Sequence, residues 1–63
     1  MRAKVLLNVP RGEAWVGCEV LGAPRMTPVY VGRVREWREW RLVRVLVDGE
    51  REARDVCATR VRA

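Results

Sequence analysis

Apolar and polar positions alternate along most of this chain, and a period of two is the mark of a half-buried strand. In residues 2–9, Ala3, Val5, Leu7 and Val9 share one side, Arg2, Lys4 and Asn8 the other, with Leu6 the exception. Pro10-Arg11-Gly12 reads as a turn. Across Glu13–Leu21, Ala14, Val16, Cys18 and Val20 form an apolar side, while Trp15, Gly17, Glu19 and Leu21 form a mixed one. Gly17 predicts a bulge or bend of the kind that closes a small barrel. Gly22–Pro28, with two prolines and a glycine, predicts a loop with Arg25 and Met26 at its tip.

The centre of the chain is Val29–Glu50. Val29–Arg35 reads as a strand with Tyr30, Gly32 and Val34 on one face and Val29, Val31, Arg33 and Arg35 on the other. The tandem repeat Arg35-Glu36-Trp37, Arg38-Glu39-Trp40 then connects it to a second strand, Leu42–Val47. That strand runs into Asp48-Gly49, a pair that favours a type I′ hairpin turn because both central residues need positive φ. A helix across the repeat would place Val31, Val34, Trp37 and Trp40 three apart, a stripe that drifts around a cylinder of 3.6 residues per turn. Strand fits the valine-rich sequence downstream better. The tail reads as a short strand, a helical or 3₁₀ turn near Val56 and a last strand at Thr59–Arg62. One C-terminal helix, with Ala53, Val56, Cys57 and Val61 on its inner side, is the alternative.

Composition narrows what such a chain can do. Sixty-three residues make at most one domain, with a small core. Cys18 and Cys57 are either buried free thiols or a staple across a long loop. The chain has no His, Ser or CxxC pair. The common zinc sites and histidine-based triads therefore have no residues to build them, and no metal or cofactor is expected. The remaining nucleophiles, Cys18, Cys57, Thr27, Thr59, Tyr30 and Lys4, have no imidazole to activate them. A binding protein is expected, not an enzyme. No apolar run approaches the ~18 residues of a membrane span, and Met1–Asn8 lacks the pattern of a signal peptide. A soluble, cytoplasmic protein follows as the expectation.

Charge points to a partner. The chain carries a formal +5, from 13 basic and 8 acidic residues, and all the basic residues but Lys4 are arginines. An excess of this size suggests an anionic ligand, with nucleic acid first and DNA ahead of RNA. Abundant arginine also fits a codon bias or the surface ion-pair networks of thermophiles. The densest basic stretch is Arg33, Arg35, Arg38, Arg41 and Arg44, interleaved with Trp37 and Trp40. Guanidinium groups would contact phosphate there while the indoles stack on bases. Trp15, Arg25 and Met26 are candidate additional contacts. Equally, the tryptophans could fold back over a core that has no Phe or Ile, and Glu36 and Glu39 could hold the loop by ion pairs. A rival use of the chain is a protein-interaction or oligomerisation module, a homodimer included, with Leu42, Leu46 and Val29 at the interface.

The order Tyr30-Val31-Gly32-Arg33-Val34, then Val43-Arg44-Val45-Leu46-Val47-Asp48-Gly49, then Val56 and Val61-Arg62, resembles the SH3-like small barrels of Tudor and KOW type over roughly residues 13–62. The resemblance implies an all-β, five-stranded barrel with a short C-terminal helical turn. A Tudor-like aromatic cage would have to draw on Trp15, Tyr30, Trp37 and Trp40. In size and basicity the chain is also similar to the 7-kDa chromatin proteins of archaea. Sequence-independent binding of nucleic acid is the expectation, since Asn8 is the only side-chain amide available to read bases.

Overall fold

The alternation in the first third of the chain becomes two strands, β1 (Arg2–Val9) and β2 (Gly12–Val20), joined by the Pro10-Arg11 turn. The computed structural model describes all 63 residues. It continues with β3 (Arg25–Val31), β4 (Glu36–Val47), β5 (Arg54–Cys57), a 3₁₀ turn (Ala58–Arg60) and β6 (Val61–Arg62). The six strands form one antiparallel sheet in the order β3-β4-β2-β1-β6, with β5 also paired to β4. The chain is therefore all-β, but the sheet does not close into the expected five-stranded barrel. β5 and β6 are joined through the 3₁₀ turn and make no ladder with each other, β6 returning instead to β1.

Register is set by the apolar parity of each strand, since a slip of one residue would turn every side chain to the other face. Ala3 lies opposite Cys18 and Cys18 opposite Val47; Val20 faces Val45, and Val43 faces Val56. The buried core is correspondingly small: Ala3, Val5, Cys18, Val43, Val45 and Val47, with Leu7, Val16, Val20, Val56 and Val61 packed around it. None of the tryptophans joins it. Cys18 is fully buried and Cys57 half-buried, and both are free thiols, so no disulfide supports the core. Burial raises the Cys18 thiol pKa above its ordinary value.

The tail follows the strand–turn–strand order, not the single helix. Its hairpin differs from the one expected. The turn Val47–Glu50 is closed by the Glu50 amide donating to the Val47 carbonyl at 3.0 Å, and only Gly49 has positive φ, at 88°. That is the geometry of a type II turn, which asks for glycine at the third position alone. Arg51–Ala53 then carry the chain to β5, so that Val45 meets Arg54, where a two-residue hairpin at Asp48-Gly49 would set it against Glu52. The shift sets Val56 against Val43, which buries an apolar pair that the tighter hairpin would have broken. The Arg54 guanidinium holds the Glu50 carboxylate across the same bend.

Gly17 makes no bulge, because β1 and β2 pair in one unbroken register past it. It leaves room for an ion pair instead. Arg2 donates to both carboxylate oxygens of Asp48, at 2.8 and 2.6 Å, directly over Gly17. A Cβ built there would lie 2.5 Å from Asp48 Oδ2 and 3.1 Å from Arg2 Nη2. The Asp48 amide also donates to the Gly17 carbonyl at 3.0 Å. The clamp thus ties β1 to the end of β4 across β2. On the open side, Arg60 donates from the 3₁₀ turn to the Leu6 carbonyl at 3.0 Å and binds Glu13. The only helical segment is this three-residue turn, and no helix is long and apolar enough to cross a membrane.

The Arg2 hydrogen bond lowers the Asp48 pKa below its ordinary value of 3.8. A carboxylate whose folded pKa is depressed contributes stability above the unfolded value and loses it as pH falls through the folded one. Asp48→Asn should therefore lower the melting temperature at pH 7, and the gap from the parent should close as pH drops below about 4. Gly17→Ala should act on the same clamp, so thermal melts of the double variant should show less than the sum of the single losses.

Candidate nucleic-acid interface

β4 is longer than the core it serves. Its second half pairs with β2 and β5, whereas Glu36–Arg41 pairs with β3 alone and Leu42 with both β3 and β5. Arg25–Val31 and Glu36–Leu42 thus form a two-stranded ribbon that projects beyond the core, and residues 36–41 are all exposed. The proline-containing segment expected to be a loop supplies one of its strands, leaving Leu21–Pro24 as the connection. Pro28 is tolerated because β3 lies at the sheet edge, where a missing N–H breaks no ladder.

The Trp–Arg repeat is likewise strand and not loop. Directly opposed residues of an antiparallel pair project to the same face, and neighbours along a strand project to opposite ones. Trp37 and Trp40, three apart, therefore stand on opposite faces of the ribbon. The face continuous with the core side of β4 carries Trp37 opposite Tyr30, Glu39 opposite Pro28, and Arg41 opposite Met26. The other, outer face carries Glu36 opposite Val31, Arg38 opposite Val29, Trp40 opposite Thr27, and Leu42 opposite Arg25, followed by Arg44. The seven residues that the sequence grouped as one site are thus divided. Arg38, Trp40 and Arg44 share the outer face; Trp37 and Arg41 look the other way.

Arg33 and Arg35 project from neither strand. They sit in the hairpin turn, residues 32–35, where the Val34 amide donates to the Val31 carbonyl at 3.2 Å. Arg35 is the only non-glycine residue with positive φ, at 54°. The left-handed conformation costs an L-residue roughly 1–2 kcal/mol relative to the right-handed one, and glycine avoids that penalty. A charged side chain therefore occupies the one turn position that backbone geometry would give to glycine.

The outer face is the more electropositive. Arg38 pairs with Glu36 at 2.6 Å and Arg44 reaches Asp55 at 3.7 Å. Arg25, Arg33 and Arg35 make no ion pair within the chain. Arg25 and Arg44 line one shallow hollow of about 280 Å³ with Leu21, Gly22 and Ala23. From Arg35 at the turn to Arg44 at the base, the row spans roughly 30 Å at ~3.3 Å per residue. Trp40 stands beside this row, 41% exposed, next to Cys57 and Thr59. Thr59 hydrogen-bonds the Cys57 sulfur at 3.2 Å and lowers its thiol pKa.

Trp15 belongs to neither face of the ribbon. It lies on the outer side of β2, opposite Leu6, with the Arg62 guanidinium 4.2 Å from its ring centroid. Cation–π contact with its own chain covers one face of that ring. Nor do the aromatics converge into a cage: Tyr30 and Trp37 meet with centroids 5.5 Å apart and planes tilted by 55°, while Trp15 and Trp40 stand elsewhere. The pairing of Tyr30 with Trp37 depends on a register that spacing along the chain does not reveal.

No family model matches this chain, and neither a curated protein nor a solved structure matches it.

Arg35→Gly should stabilise the fold by up to about 1 kcal/mol, since glycine takes the left-handed turn without steric penalty. Denaturant unfolding and amide exchange at Val31 and Glu36 would read the gain.

Proposed function

We propose that this protein binds nucleic acid without catalysis, through the outer face and turn of its ribbon. The observation that carries the reading is the row Arg33, Arg35, Arg38, Arg44 and Arg25 on a projecting two-stranded element that the core does not need. A two-stranded ribbon is narrow enough to enter the major groove of duplex DNA, and guanidinium groups along it can follow the phosphates. Trp40, exposed beside the row, would stack on or wedge against a base. Arg35 supports the same reading, because a strained backbone held by a charged residue points to selection for the charge. The surface offers arginines and no amide reader, so contacts go to the backbone and binding is largely sequence-independent. Duplex DNA is the preferred partner and RNA the second, as ribbon and groove widths suit B-form better than the deep, narrow A-form groove.

The order of the last elements, a 3₁₀ turn leading into a strand that returns to β1, supports the SH3-like resemblance as the origin of the fold. Function of the kind served by small basic chromatin proteins is consistent with the size and charge. Two unpaired thiols suit a reducing, cytoplasmic setting.

Five phosphate contacts would give a slope of about −4.5 for log K against log salt on duplex DNA. Arg33→Glu/Arg35→Glu should abolish the salt-sensitive binding in an anisotropy titration, while Arg41→Ala, on the opposite face, should leave the slope unchanged. Equal losses from Arg41→Ala and Arg38→Ala would overturn the assignment to the outer face.

A further inference from the structure

The other face of the ribbon has a different character. Met26 is 58% exposed, Tyr30 51% and Trp37 69%, with Pro28 between them. The strip continues at its base into an apolar groove of about 520 Å³, whose lining includes Pro24, Ala23, Val20, Val43 and Val61. On β3 and β4 these residues share the parity of the buried valines, so the strip extends the core side past the point where the core ends. Three large side chains gathered on one uncovered face are more than scattered surface hydrophobes.

Exposed surface and charge both bear on what covers it. A monomeric protein of 7.3 kDa exposes about 4,200 Å² by the scaling of surface with mass. This chain exposes 5057 Å². The excess, about 900 Å², shows that the ribbon leaves more surface uncovered than a compact monomer of this mass does, enough for one side of a stable interface to be drawn from it. Charge is the second. Glu39 and Arg41 stand side by side in the strip, and neither makes an ion pair within the chain. An isologous contact brings the same patch of two copies together in opposite directions, so residue i meets j and j meets i. Glu39 of one copy would then meet Arg41 of the other, twice, in the middle of an apolar strip. The strip is self-complementary in charge.

We infer that the inner face of the ribbon is the interface of a two-fold homodimer. The occupant is a second copy of this chain lying in the opposite direction, so that Tyr30 and Trp37 at the tip of one ribbon cover Pro24 and Val43 at the base of the other. Leu42, Leu46 and Val29, the interface the sequence suggested, are half-buried on the outer face and take no part. The inference stands independently of nucleic-acid binding, and it leaves the outer arginines of both copies free.

Sedimentation equilibrium of the full chain, without nucleic acid, tests it. The parent should sediment at twice 7.3 kDa at micromolar concentration. Trp37→Glu, Glu39→Arg and Arg41→Glu should each raise the dissociation constant by about tenfold or more. The double variant Glu39→Arg/Arg41→Glu should restore the dimer, because the reversed charges again meet opposite signs. Lys4→Glu, on the outer side of β1, should leave it unchanged. All of these side chains are exposed, so far-UV circular dichroism should show the parent fold throughout. A monomer at every concentration would overturn the inference, as would a dimer indifferent to the single reversals or a double variant that fails to recover.

Discussion

The parity of β4 is the constraint from which the rest of the molecule follows. Val43, Val45 and Val47 must all face inward, because they are half of the buried core. Every register in the sheet then serves to bring apolar partners to them, Val56 to Val43, Val20 to Val45 and Cys18 to Val47. A strand has no freedom to change sides without a bulge, and none interrupts Glu36–Val47. The same parity therefore runs on into the ribbon, where it sorts Trp37, Glu39 and Arg41 from Arg38, Trp40 and Arg44. One rule of packing at the base separates an apolar, charge-balanced side from an arginine-rich one at the tip.

A core of six small residues leaves little surplus stability, and the outer surface compensates with ion pairs that join elements distant in sequence. Arg2 reaches Asp48 across β2, Arg60 joins the 3₁₀ turn to β1 and β2, and the amino terminus pairs with Glu19 at 2.6 Å. Exposed pairs contribute little singly. Their value here lies in pinning the ends of an open sheet whose edges no barrel closure protects. Gly17 belongs to this device, because the clamp passes through the space its missing side chain leaves.

The ribbon shows the opposite economy. Two strands alone are marginal in water, and this pair persists because β4 continues into the sheet. Its turn holds Arg35 in a strained conformation and its inner face leaves three large side chains uncovered. Both features cost stability that the small core can hardly spare, and both become intelligible if the ribbon meets partners on each side: phosphate at the outer face and turn, a second copy at the inner one.

Periodicity alone determined the strands of the first half, the core valines, the strand–turn–strand order of the tail and the richness of the central stretch in arginine and tryptophan. These are local properties, carried by alternation, turn residues and composition. Where the repeat lay was beyond that reach. Nothing in Arg35–Arg41 distinguishes a loop from a strand until β3 is paired beside it, and the first half of β3 was hidden by Pro28, which an edge position tolerates. The role of Gly17 was equally invisible, because the atoms that need its space come from Arg2 and Asp48. Tertiary structure decided closure too: the chain has the elements of a barrel, yet β5 and β6 are held apart by the turn between them. Pairing across the sheet, and with it the face on which each arginine and tryptophan stands, is a long-range property that no stretch of sequence contains by itself.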